Sequence, residues 1–300
     1  LSARTGYTDR GGADIMSSEK QRTAWEKQML VREKNRPTIH DYLPRIFEEF
    51  FELHGDRGYG DDGAILGGIA RLNGVPVTII AEVKGRNLEE NKRSNFAMPH
   101  PEGYRKALRL AKQAEKFHRP IICFIDTPGA FCGVEAEERG QGEAIAKNLA
   151  EFMSLKTPVV SVVLGEGGSG GALALGVCDD LAMLENALYS VISPRGAASI
   201  LWKDAAREQE ACEIMRITAQ DLLEFGVADA IIPEPEDGAQ GDLDKMSQNI
   251  KEYLVKTIAV KSKKDIDILQ KERYTKFRKI GVFSEPSHEV QKAAAGNENE

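Results

Sequence analysis

The sequence predicts an α/β domain with a sheet covered by helices on both faces, and three observations carry that prediction. Two short runs, Ile121–Ile125 and Val159–Leu164, are almost wholly apolar, as strands buried on both faces must be. Segments with helical spacing separate them, which gives the strand, helix, strand order of a parallel sheet. Ahead of both, AILGGIARL and VPVTIIAEV flank Asn73-Gly74, the pairing that a type I′ hairpin turn favours.

Along the chain, Ser17 or Ser18 can cap a polar helix running to about Asn35, whose apolar positions Trp25, Met29 and Leu30 form only a thin stripe. After Arg36-Pro37, Thr38 caps a second helix in which Ile39, Tyr42, Leu43, Ile46, Phe47, Phe50, Phe51 and Leu53 recur at helical spacing. The hairpin follows from Ala64, then a polar loop (GRNLEENKRSN), a helix from about Glu102 to Phe117 and the strand Ile121–Ile125. Gly133 to Leu155 reads as loop then helix, Val159–Leu164 as strand, and Gly170–Val177 as a helix of small residues. Leu181–Leu184 and Tyr189–Ile192 are predicted strands, Pro194–Trp202 a helix and Val227–Ile232 a last strand. PEDGAQGD has the composition of a linker; a helical tail reaches about Lys279 before a polar, disordered end. The expected divisions are an N-terminal extension over 1–36, the α/β domain over 37–235, and a linker with helical tail over 236–300.

Composition narrows the function. With 300 residues, 41% apolar and 29% charged, a sizeable core is feasible. The start lacks an apolar signal region, and Val159–Leu164, interrupted by Ser161, is too short to cross a bilayer, so a cytoplasmic chain without membrane contact is expected. Cys123, Cys132, Cys178 and Cys212 match no CxxC or zinc-ligand spacing and are read as reduced thiols, with no metal held. A net charge of −7 argues against nucleic-acid binding, although Lys84 to Arg119 holds ten Lys/Arg against four Glu. On the helix after Pro101, Arg105, Arg109, Lys112 and Lys116 share a face, either a solvated surface or a steering surface for an acidic partner.

The densest motif is GEGGSGG, Gly165 to Gly171, between a strand and a helix. Backbone amides at such a junction gain from the helix dipole and bind anions, and five glycines in seven residues let a ligand approach the backbone closely. Three other readings stay open. The run fits G-x-G-x-x-G with Glu185 20 residues past Gly165, as an NAD-dependent oxidoreductase requires. Ser169 is placed like a hydrolase nucleophile. The bland alternative is a tight turn between packed elements. Ile125-Asp126-Thr127-Pro128-Gly129 looks like a GTPase switch, but no phosphate-cradling GxxxxGK[ST] loop accompanies it; Pro128-Gly129 instead makes a tight loop at the carboxyl edge of the sheet.

Taken together, HGDRGYGDDGAILGGIARL, NFAMPHPEGYRKALRLAKQAEKF, FIDTPGAFCGVEAEERGQGEAIAKNLAEF, GEGGSGGALALG, YSVISPRGAASILWKD and FGVADAIIPEP resemble the carboxyltransferase α subunits of bacterial acetyl-coenzyme A carboxylase. The resemblance covers roughly Thr38 to Pro235, with a further match at ERYTKFRK. It implies a crotonase-like fold of stacked ββα units and an α2β2 heterotetramer with a β subunit, which alone carries zinc. It implies transfer of a carboxyl group from carboxybiotin, on the biotin carboxyl carrier protein, to acetyl-CoA, giving malonyl-CoA for fatty acid synthesis, with biotin carboxylase an indirect partner. Carried over from the family, the amides of Gly170 and Gly171 form the oxyanion hole for the biotin ureido oxygen. Gly167, Gly168 and Ser169, with Pro128, Gly129, Ala130, Phe131 and Gly133 on the facing loop, bind substrate, supported by Glu135 to Gly142. Phe131-Cys132, Glu135 and Arg195 depart from the family's common residues. The N-terminal helical region is shorter than in some relatives, and residues 1–15 read as an addition ahead of Met16.

Overall fold

A computed structural model describes residues 22–281; the cap at Ser17 or Ser18, residues 1–15 and the polar C-terminal end lie outside the described residues. The first described helix, α1 (Ala24–Val31), starts at Thr23, whose side chain and that of Glu26 form a reciprocal capping box. It stops four residues short of Asn35. Helix α2 (Ile39–Ile46) begins after Thr38 as expected but also ends early, with Phe47 already extended at φ −115° and ψ 152°. The predicted helix through Leu53 is therefore corrected: Glu48–Glu52 forms β1, and Phe50 and Phe51 sit on the edge of the sheet.

The hairpin forms as the Asn-Gly pair dictates. Strands β2 (Ile65–Leu72) and β3 (Val75–Glu82) pair antiparallel, and Asn73 and Gly74 take φ of 50° and 79°, both positive as a type I′ turn needs. The following polar stretch is not all loop: Asn87 caps α3 (Leu88–Arg93) by accepting from Glu90 N. Then come α4 (Pro101–Lys116), β4 (Ile121–Thr127), α5 (Val134–Glu138) and α6 (Gln141–Ser154). Strand β5 (Val159–Gly168) runs four residues beyond its predicted end, through most of the glycine run, and α7 (Ser169–Gly176) begins directly after it. Strands β6 (Asp180–Leu184) and β7 (Leu188–Ser190), helix α8 (Pro194–Trp202), and two helices without a prediction, α9 (Glu208–Ile214) and α10 (Ala219–Glu224), precede β8 (Ala230–Ile232). Helices α11 (Leu243–Lys261) and α12 (Ile266–Arg278) end the described chain.

One sheet takes the order β1-β2-β3-β4-β5-β6-β8, with β7 added beside the far end of β5. Only the β1-β2-β3 portion is antiparallel; every later pairing is parallel. All seven residues of β4 are buried, and consecutive strand residues face opposite sides, so both faces of the sheet are covered. Helix α11 joins the same core through Met246, Ile250, Leu254 and Ile258, four residues apart on one stripe. The ends of β3, β4 and β5 meet at one edge, and the glycine run sits there.

Candidate functional site

At that edge two backbone segments are pressed together. Gly167 of β5 lies opposite Thr127 of β4. A Cβ on Gly168 would stand 2.1 Å from the Pro128 carbonyl oxygen, and one on Gly171 would stand 2.5 Å from Ala130 N and 2.7 Å from the Gly129 carbonyl carbon. Backbone cannot retreat as a side chain can, so glycine is required at both positions. Gly170 differs: a Cβ there would meet only the Ile145 side chain, at 3.5 Å. Between them Ser169 turns the chain from strand to helix with φ of 53°, a left-handed conformation that costs a non-glycine residue energy. Gly129, at φ of 146°, makes the matching bend in the facing loop.

The facing loop is tied down from beneath. The Thr127 hydroxyl accepts from Gly129 N at 3.0 Å and bonds the Ala97 carbonyl. Phe131 N donates to Pro99 O at 3.1 Å, and buried Gln141 Nε2 donates to both Pro99 O and Phe131 O at 2.8 Å. The Phe131 ring lies 4.7 Å from that of His100, and Gly133 packs under it, within 2.3 Å of the ring for any added Cβ. Gln141 thus supplies the support expected of Glu135 to Gly142, and Cys132 is exposed.

Helix α7 starts without any side-chain cap. The amides of its first turn, Ser169, Gly170 and Gly171, have no carbonyl four residues back within the helix and stand at the positive end of its dipole. Below them lies an unusual concentration of buried polar groups. Glu82 Oε2 accepts from Asp126 N at 3.2 Å while Oε1 has no partner; Asp126 Oδ1 accepts from Glu166 N at 3.0 Å while Oδ2 has none. Burial, with the Asp126 charge, pushes Glu82 well above the usual carboxylate range, and burial likewise raises Asp126. The Tyr104 hydroxyl, buried and unpartnered, would lie 3.0 Å from a Cβ on Gly171.

A cleft opens beside the run. Pro128, Gly167, Gly168 and Ser169 line it, joined by Thr127 and Glu166 and closed on the other side by Ser190, Ser193 and, from α1, Gln28 and Arg32. Ala130 and Gly129 back Gly171, whereas Phe131 and Gly133 stand farther along the loop and act as its footing. Gly170 and Gly171 do not line this cleft; they follow directly on Ser169, which does, and Gly171 is buried against the facing loop. Sequence reasoning missed Gln28 and Arg32, which lie well over a hundred positions from the glycine run in a helix with only a weak apolar stripe. The basic face of α4 is largely neutralised: Arg105 pairs with Asp56 at 2.7 Å and Lys112 with Glu151 at 2.7 Å. Among the described residues, no three His, Cys, Asp or Glu side chains gather to hold a metal ion, and no helix is long and apolar enough to cross a membrane.

Comparison with known proteins decides the family. The profile of "Acetyl co-enzyme A carboxylase carboxyltransferase-like" proteins matches residues 14–281. The acetyl-coenzyme A carboxylase carboxyl transferase subunit alpha of Clostridium perfringens is 59% identical over 88% of this chain and 98% of its own length. This chain belongs to the carboxyltransferase α-subunit family. In Clostridium tetani, a relative named "subunits beta/alpha" is 58% identical over 87% of this chain, and the match spans 45% of that longer protein. Among solved structures, transcarboxylase 12S superposes with a TM-score of 0.58 at 21% identity, covering 76% of this chain and 44% of that one. A Pseudomonas malonate decarboxylase hetero-tetramer in complex with coenzyme A gives 0.57 at 19%, covering 72% and 86%. These likenesses establish the crotonase-like fold.

Family membership leaves no support for the NAD-dependent alternative, and geometry shows why the fingerprint misleads. Gly165 and Gly167 are not a phosphate turn, because they lie within β5, where Glu166, Gly167 and Gly168 pair with Leu188, Tyr189 and Ser190 of β7. Glu185 is occupied as well, accepting from Glu234 N at 3.1 Å.

Proposed function

We propose that this chain is the α half of a carboxyltransferase that moves a carboxyl group from carboxybiotin to acetyl-CoA, giving malonyl-CoA, and that it works only with a β subunit. The observation that carries this reading is the uncapped start of α7, whose Gly170 and Gly171 amides are held in place by Gly168 and Gly171 packing against Pro128–Ala130. A biotin ureido group fits such a place, because backbone donors at a helix start suit its carbonyl oxygen and Gly170 carries no Cβ on its open side. When bound, carboxylated biotin would supply the carboxyl group and present a ureido oxygen in need of hydrogen-bond donors. Gly170 and Gly171 donate to that oxygen, Pro128 to Phe131 form the facing wall, and Gln141 keeps the wall from moving. No protein nucleophile is required, which agrees with Ser169 being used for its backbone turn.

The β/α fusion in Clostridium tetani supports a β partner; we assign zinc to that partner on the family resemblance alone. We assign the transferase fold to residues 37–235, with 1–36 and 236–300 as extensions, in a cytoplasmic α2β2 assembly served by the biotin carboxyl carrier protein and, upstream, biotin carboxylase. The test is reconstitution. This chain alone and the β subunit alone should form no malonyl-CoA from acetyl-CoA and carboxylated carrier, and the mixture should. Turnover by this chain alone, or a mixture that neither associates nor turns over, would contradict the proposal.

A further inference from the structure

Helix α1 belongs to the region outside the expected transferase domain, yet it builds one wall of the cleft. It is fixed there at both ends. Ala24 N and Trp25 N donate to the Glu213 carboxylate at its start, and Arg32 at its C-cap reaches Glu166 inside the glycine run, with Nη2 to Oε1 2.7 Å and Nε to the same oxygen 2.8 Å. Glu166 is mostly enclosed and lines the cleft, and without Arg32 only the longer contact of its other oxygen with Lys84 Nζ, at 3.6 Å, would offset its negative charge. One turn earlier, Gln28 lines the same cleft. It is 1% exposed, its Oε1 accepts from Cys212 Sγ, and its Nε2 has no partner among the described residues. A buried amide donor without an acceptor is costly, and a ligand oxygen in the cleft is what would complete it.

We infer that α1 is the part of the site that reads a carboxylate: Gln28 donates to the ligand's anionic oxygen, and Arg32 is a positioning residue that holds and neutralises Glu166 so that this anion is not repelled. The inference rests on placing carboxyl transfer at the glycine run, and goes beyond it by assigning charge selection to a helix outside the expected domain. A ligand without the carboxylate gains nothing from either residue.

The test uses the α/β complex and two stable probes in calorimetric titration, uncharged biotin amide and its N1-carboxymethyl derivative. In Arg32→Gln, affinity for the carboxylate-bearing probe should fall roughly tenfold, the order of one close charge repulsion in a partly screened site, with affinity for biotin amide held. Adding Glu166→Gln to that variant should restore it. Gln28→Met should weaken the carboxylate-bearing probe selectively as well. Equal weakening of both probes, an unchanged ratio, or no rescue by Glu166→Gln would overturn the inference. Failure of the underlying reading looks different: neither probe would then bind less tightly to Gly170→Pro than to the unmodified complex.

Discussion

The two edges of the parallel sheet handle buried charge in opposite ways. At the edge where β5 and β6 begin, Arg273 of α12 is fully buried and meets Asp179 with Nε to Oδ1 2.8 Å and Nη2 to Oδ2 2.7 Å. Its remaining donors go to the carbonyls of Phe152, Leu155 and Thr157, and Asp179 also accepts from Val159 N. Every polar atom there is used. At the edge where β3, β4 and β5 end, Glu82, Asp126, Tyr104 and Gln28 each keep a buried atom unpartnered, Ser169 sits in a strained conformation, and α7 starts uncapped. The first end is built for stability; the second, which leaves bonds unmade, is the end at which open α/β sheets bind ligands.

The largest effect should come from the closed edge. Arg273→Met leaves Asp179 buried and uncompensated, and breaking such a pair costs about 3–5 kcal/mol. Urea denaturation should show that loss, and Arg273→Met with Asp179→Leu should regain part of it. A loss under about 1 kcal/mol would mean the pair is not the lock described. Next, Gly171→Ala drives a Cβ into the Gly129-Ala130 backbone, an overpacking strain of roughly 1–3 kcal/mol. Its thermal unfolding midpoint should fall clearly below that of Gly170→Ala, where only Ile145 must adjust. Equal midpoints would undo the claim that the two glycines differ.

The smallest effect is a pH dependence at the open edge. Glu82 has a folded pKa raised by burial, so its contribution to stability is complete below the unfolded value near 4.5 and is lost as pH rises toward the folded value. Glu82→Gln escapes that loss. Its stability relative to the parent should be level near pH 4 and rise steadily toward pH 8. A gap that does not widen with pH would show that Glu82 is not held neutral.

How much of this was legible beforehand depended on how local the cause was. The hairpin was legible because Asn73-Gly74 fixes its own turn. The strand-to-helix junction at the glycine run was legible from its glycine density, although the extension of β5 through Gly168 was not, since that pairing is supplied by β7, 22 residues later. Phe50 and Phe51 carried helical spacing, but pairing with β2 overrode it. ERYTKFRK stood out without a reason; Arg273 within it closes the far edge against Asp179, a contact between residues 94 positions apart. Arg32 and Gln28 gave no signal, because their role exists only once α1 has docked.

The central claim is that a backbone amide at Gly170, not a side chain, holds the developing charge. Gly170→Pro removes that amide, while Gly170→Ala adds a Cβ and keeps it. In the α/β complex, with assembly confirmed by size-exclusion chromatography, kcat for malonyl-CoA formation should be about 10²-fold lower in Gly170→Pro than in Gly170→Ala, the usual cost of one lost oxyanion donor. Matching rates in two correctly assembled variants would contradict the account.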